Sequence, residues 1–170
     1  VSFIHHSLPG VSAEQVDIGT TVLGCRWEVP FYINAMTGGT QTTAAINAGL
    51  AEAAAEVGVA IACGSQHVAL RDPERADGFH VIRRRAPGAF VLANVGPTVS
   101  PQEALQAVEM LEANALQIHL NAAQELVMPE GDRDFTNWSE AIAGIAPEYT
   151  VHFYIDLKAP PPPPPPPPNT

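Results

Sequence analysis

From residue 31 onward the chain alternates short apolar runs with longer amphipathic stretches, and each run hands over to Gly, Ser, Thr or Asn. Phe31 to Met36 (FYINAM) is the first run, closed by Thr37-Gly38-Gly39. Thr40 to Val57 is Ala-rich, carries Ile46, Leu50, Ala54 and Val57 at spacings of four, four and three, and stops at Gly58. That pattern predicts an amphipathic helix with a glycine stop. Val59 to Cys63 predicts a second strand ending at Gly64-Ser65-Gln66, and Asp77 to Arg85 a short helix before Pro87. Phe90 to Val95 predicts a third strand ending at Asn94 and Gly96. Ser100 reads as a helix cap with Pro101 at the first position and Ala104, Leu105, Val108 and Leu111 on one face. Leu116 to Leu120 is a fourth strand, Thr136 to Ile145 a fourth helix, and Thr150 to Leu157 the start of a fifth strand. Strands alternating with helices predict a parallel α/β sheet. Barrel and doubly wound layouts both fit the pattern.

Length and charge narrow the class. A chain of 170 residues supports one ordinary domain with a core. A net charge of -10, from 18 acidic and 8 basic residues, argues against nucleic acid or an anionic membrane as partner. No apolar run reaches membrane-spanning length, and VSFIHHSLPG lacks the basic and long apolar regions of a secretion signal, so a cytoplasmic protein is expected. Cys25 and Cys63 have no CxxC spacing and read as free thiols in preference to a disulfide or metal site. Pro160 to Pro168 can form only an extended polyproline II rod. Residues 158–170 therefore read as a foreign or disordered tail; the alternative is a ligand displayed to a proline-recognition domain.

The strand ends carry the candidate chemistry. Met36-Thr37-Gly38-Gly39, between a strand and a helix, suits an anion or cofactor loop, because glycines let backbone amides approach a ligand. A plain tight turn is the competing reading. Gly64-Ser65-Gln66 and Asn94-Val95-Gly96 repeat the arrangement, which favours a shared pocket. The fourth strand turns abruptly polar at His119, Asn121, Gln124 and Glu125. His and Asn suit phosphoryl oxygens, and Glu suits Mg²⁺ when water and phosphate complete its shell. Against this stands an interior His119 with an ordinary helix start at Gln124-Glu125. Arg83-Arg84-Arg85 reads as a solvated helix end favoured by the helix dipole. Asp132, Arg133 and Asp134 read as salt bridges or caps that fix a loop.

Taken together, FIHHSLP (Phe3 to Pro9), INAMTGG (Ile33 to Gly39), GSQ (Gly64 to Gln66), ANVG (Ala93 to Gly96), LQIHLN (Leu116 to Asn121) and QELVMPEGDRDF (Gln124 to Phe135) resemble the type 2 isopentenyl-diphosphate isomerases. The resemblance runs from about Phe3 to Pro147 in matching order and spacing. It implies a flavoprotein (β/α)8 TIM barrel that interconverts isopentenyl and dimethylallyl diphosphate in isoprenoid biosynthesis. Reduced FMN, Mg²⁺ and NADPH would be required. By resemblance, Met36, Thr37, Gly38, Ser65 and Asn94 contact FMN; His119 and Asn121 bind the substrate diphosphate. Gln124 sits at the reacting carbons, binding substrate and assisting proton movement, and Glu125 holds Mg²⁺. The family's phosphate-contacting Arg near GSQ has no clear match, and His67 occupies that neighbourhood. Lys158 lies near the family's flavin-contacting Lys, but YIDLKAPP does not match its surroundings. A full barrel takes about 250 residues. Residues 1–157 would then be its first half, inactive alone and a homo-oligomer at full length. The alternative is a non-catalytic half-barrel or interaction module displaying the polyproline ligand.

Overall fold

In the computed structural model, residues 4–129 and 131–145 are described. The expected strand from Thr150 to Leu157, Lys158 and the run Pro160 to Pro168 lie outside them.

Four parallel strands form the central sheet: β3 (Tyr32–Ile33), β4 (Ala60–Ala62), β5 (Val91–Val95) and β6 (Ala115–Ile118), preceded in the chain by β1 (Thr20–Val22) and β2 (Cys25–Trp27). Between and after the sheet strands come α1 (Gln41–Val57), α2 (His67–Arg71), α3 (Asp77–Arg85), α4 (Pro101–Leu111), α5 (Ala122–Val127) and α6 (Trp138–Ile145). The sheet order is β3-β4-β5-β6, which follows the sequence without the reversal that marks a doubly wound fold. Each expected strand in the described region is present, shortened by a residue or more, and the helices at 41–57, 77–85 and 101–111 fall where the pattern puts them. Thr40 caps α1, and Gly58 stops it in the left-handed conformation. Ser100 and Glu103 make a reciprocal capping box on α4.

The two sheet faces differ. Ile61, Cys63, Val91, Ala93, Val95, Leu116 and Ile118 point to one side and pack against Ala51, Ala54, Phe79, Ile82, Ala104, Ala107, Leu111 and Ile145 from the helices. Ala60, Ala62, Leu92 and Ala115 point to the other, where Leu23 and Trp27 of the β1–β2 hairpin cover them together with Tyr32 and Phe90. Trp27 meets Tyr32 and Phe90 edge-on at 5.9 and 5.3 Å. The hairpin turns at Leu23-Gly24, both with positive φ, the two-residue geometry whose twist matches the strands.

The helix-free face is concave. The Gln117 amide on β6 donates to Asn34 Oδ1, just past β3, at 3.2 Å. Three inter-strand steps on a flat sheet would separate these backbones by about 14 Å. The two side chains and the 3.2 Å hydrogen bond between them span at most about 12 Å. The sheet must therefore curl, with its amide-bearing face inward, and small Ala60, Ala62 and Ala115 leave room for the curl.

Two expectations change. The buried stripe of α1 is Asn47, Ala51 and Ala54, whereas Ile46 and Val57 are exposed. Asn47 is a polar residue at an interior position: its amide donates to Gly78 O at 2.9 Å, and its oxygen accepts from Thr37 Oγ1. Hydropathy spacing passes over such a residue. Arg83, expected in solvent, instead donates to the carbonyls of Leu111, Pro87, Ala89 and Glu112 and to Asn114 Oδ1, at 2.7 to 3.1 Å. It gathers the loops at the amino-terminal ends of β5 and β6. Arg85 and Arg84 do remain at the surface, paired with Glu52 and Asp77.

Candidate active site at the carboxyl ends of the strands

A cleft of about 370 Å³ opens where β4, β5 and β6 end. Ser65, His119, Asn121, Gln124 and Glu125 all border it. A larger hollow of about 630 Å³ lies at the opposite end, between Trp27, Gly58, Phe90 and Asn114. Parallel α/β sheets bind ligands at strand carboxyl ends, so the smaller cleft is the functional candidate.

Local structure fixes each side chain. His119 follows β6 directly and shares the inner face with Ala115 and Gln117. Its Nδ1 lies 2.9 Å from Asn94 Oδ1 on the neighbouring strand. An amide oxygen only accepts, so Nδ1 is the donor in this pair. Asn121 caps α5, with Oδ1 accepting from Gln124 N at 3.0 Å and Nδ2 donating to Gln124 Oε1 at 3.1 Å. That pair orients the Gln124 carboxamide. Glu125 Oε2 accepts the Asp132 amide at 2.9 Å. Arg133 donates to the Met128, Gly131 and Asp132 carbonyls at 2.7 to 3.0 Å and also to that of Glu125. Asp134 accepts Thr136 N and Oγ1. Arg133 and Asp134 thus act as caps, which folds the loop back on α5. Gly131 is obligatory there, since a Cβ would collide with the Glu125 backbone.

The proposed cofactor residues divide. Ser65 borders the cleft, and Asn94 is buried beside His119. Met36, Thr37 and Gly38 lie on the neighbouring β3–α1 loop and are not among the residues bordering the cleft. Met36 is exposed, and a Cβ on Gly38 would meet open space. Gly64 lets this loop sit against β4, because any Cβ would strike the Thr37 carbonyl. Gln66 of the GSQ turn faces inward: it accepts Asn94 N at 2.9 Å and donates to Ala107 O at 2.8 Å. Its role is to lock β4, β5 and α4 together.

Sequence reasoning missed several residues at the cleft. His67 and Arg71 stand on its wall, one turn apart on α2. Five residues are too few for a periodic signal, although the absence of a matching Arg after GSQ had drawn attention to His67. Nearby Glu103 has its carboxyl held below the usual range, chiefly by the Ser100 amide and hydroxyl. Trp138 also borders the cleft, and its Nε1–H is buried without a partner. A lone Trp at a helix start gives no such hint in sequence.

Two amides on the inner face are also incompletely satisfied. Asn94 Nδ2 and Gln117 Oε1 are buried and have no hydrogen-bond partner. Among the described residues, no group of three His, Cys, Asp or Glu side chains is arranged to hold a metal ion by itself. Any cation at Glu125 would need other ligands.

Comparison with known proteins gives the chain its relatives. It is similar to isopentenyl-diphosphate delta-isomerases. The relative from Kitasatospora griseola is 55% identical over 145 residues, 85% of this chain and 40% of the relative. That from Streptomyces sp. strain CL190 is 50% identical over 146 residues, and that from Staphylococcus aureus strain JH9 46% identical over 149. The chain spans about two fifths of the length of these curated relatives. No protein-family model matches it. Among the described residues, no helix is long and apolar enough to cross a membrane.

Proposed function

We propose that this chain belongs to an FMN- and Mg²⁺-dependent isopentenyl-diphosphate isomerase, and that its four βα units are the first half of a (β/α)8 barrel. The carrying observation is the gathering of Ser65, His119, Asn121, Gln124 and Glu125 around one cleft, in a chain similar to isomerases of that name. Sequential strand order, helices confined to one face and a concave inner face support the barrel reading.

The residues present suit the two groups. Asn94 offers a buried, unpartnered amide donor next to the cleft, and the open space at Gly38 allows close approach of a ring or phosphate. Glu125 is a single carboxylate with one oxygen held by the Asp132 amide. Mg²⁺ commonly takes one or two carboxylates and completes its octahedron with water and phosphate oxygens. When bound, reduced FMN supplies an electron-rich ring able to deliver a proton and stabilise positive charge, while Mg²⁺ neutralises the diphosphate.

This chain's own residues then bind and orient. His119, fixed by Asn94, holds the diphosphate, with Arg71 adding positive charge and His67 a ring nitrogen at the same cleft. Restraining the diphosphate opposes its loss as a leaving group and holds the hydrocarbon in one pose. Gln124, braced by Asn121, faces the reacting carbons and guides proton movement without being a strong acid. The isomerisation involves no net redox change, so NADPH would serve only to bring bound flavin to its reduced form.

The test uses the intact protein with isopentenyl diphosphate, FMN, NADPH and Mg²⁺. Formation of dimethylallyl diphosphate should require all three additions; turnover independent of flavin would refute the cofactor assignment. Gln124→Leu should lower kcat by on the order of a hundredfold with little change in KM. Glu125→Gln should raise the Mg²⁺ concentration for half-maximal rate by roughly tenfold or more.

A further inference from the structure

Trp27 Nε1, Asn94 Nδ2, Gln117 Oε1 and Trp138 Nε1 are buried without a hydrogen-bond partner, and of these only Trp138 belongs to a residue on the wall of the cleft. An indole N–H donates and has no accepting capacity. Burying it unmade carries a desolvation penalty, which an acceptor brought by a ligand would offset.

Trp138 is held from both sides. It opens α6, whose far end is anchored by Ile145 in the core. Its ring meets that of Phe135 edge-on at 4.8 Å, and its backbone N–H donates to Phe135 O at 3.5 Å. Arg133 ties down the preceding loop, and the Asp132 amide joins that loop to Glu125. The indole and the Glu125 carboxylate are therefore carried by one braced segment.

Charge at the cleft makes a neutral donor useful. Among the described residues on its wall, Arg71 is the one permanent cation, against the carboxylates of Glu125 and Asp132. An anion held there depends on a metal ion and on uncharged donors. An indole N–H adds a bond without adding another charge to desolvate. The hydrocarbon of the proposed substrate offers no acceptor, whereas its diphosphate offers several.

We infer that Trp138 is a further substrate-binding residue, its indole N–H donating to a diphosphate oxygen. The inference rests on the diphosphate reading of this cleft and adds to it a donor that neither charge nor spacing marks in the sequence.

The experiment titrates inorganic pyrophosphate into the intact protein with FMN and Mg²⁺ present, reading affinity by calorimetry. Trp138→Phe keeps an aromatic ring against Phe135 and removes the donor. It should bind pyrophosphate about tenfold more weakly, the loss expected for one hydrogen bond to a charged acceptor. KM for isopentenyl diphosphate should rise by a similar factor, with kcat within about threefold of wild type. Circular dichroism checks that the variant folds. A second readout needs no variant: the Trp138 indole proton of the wild-type protein, assigned through its contact with the Phe135 ring, should move downfield in the NMR spectrum on adding pyrophosphate. Equal affinity in the folded variant, or an indole resonance that stays in place, would overturn this inference. Either result leaves the diphosphate reading intact, the N–H then meeting water or another side chain. Failure of the wild-type protein to bind pyrophosphate would overturn both.

Discussion

Arg83 shows how much one side chain can hold. Its guanidinium joins four backbone carbonyls and Asn114, whose own Oδ1 also accepts Val91 N. Arg83→Met keeps the aliphatic stem and strands those acceptors, so it should cost about 2–3 kcal/mol, read from the urea midpoint. At Ser100 the prediction concerns pH. The cap holds the Glu103 carboxyl below its usual range, so the folded state binds the Glu103 proton less readily than the unfolded chain. Its contribution is full above the ordinary carboxyl range and is lost as pH falls through the folded value. Ser100→Ala should cost about 1 kcal/mol near neutrality. It should also flatten the decline in stability between about pH 5 and pH 3. The two thiols separate cleanly: Cys25 is exposed, whereas burial pushes the Cys63 thiol up. A thiol reagent should label Cys25 in the native protein within minutes and reach Cys63 only on unfolding.

Elements that were legible in the sequence are those with enough length to show a period or a cap. Helices α3 and α4 match the expected spans because their starts and stops are local: Pro87 after one, Ser100-Pro101 before the other. The β1–β2 hairpin, α2 and α5 were not legible, since three to six residues fit several patterns equally well. Even α1, correctly bounded, was given an inner face that is only half right: Ala54 and Leu50 pack inward, whereas Ile46 and Val57 do not. Its interior is alanine and one asparagine, chosen for close approach to α3 and for hydrogen bonds that only packing reveals. Gly64 belongs to this scale because it joins two strand ends. Gly64→Ala should displace the β3–α1 loop from β4 and, on the FMN reading proposed above, weaken FMN binding by more than about tenfold, an order-of-magnitude figure set by one misplaced contact surface. Trp27→Ala should cost about 3 kcal/mol, because it uncovers the face shared with Tyr32 and Phe90.

At the scale of the molecule, the curl of the sheet decides what the residues can do. It sets Asn34 against Gln117 and makes a lining of side chains that lie far apart in sequence. Residue identities and local order alone determined the alternation of strands and helices, most caps, and the polar block from His119 to Glu125. These depend on neighbours within a few positions, where sequence periodicity and cap chemistry act directly. Tertiary structure alone decided that Arg83 is a clamp, that Gln66 faces the core, that His67, Arg71 and Trp138 border the cleft, and that Asn94 and Gln117 stand paired with unsatisfied ends. Each of these is a relation between distant strands or helices, fixed by close packing and by the need to satisfy buried polar groups, and neither constraint leaves a local imprint on the chain.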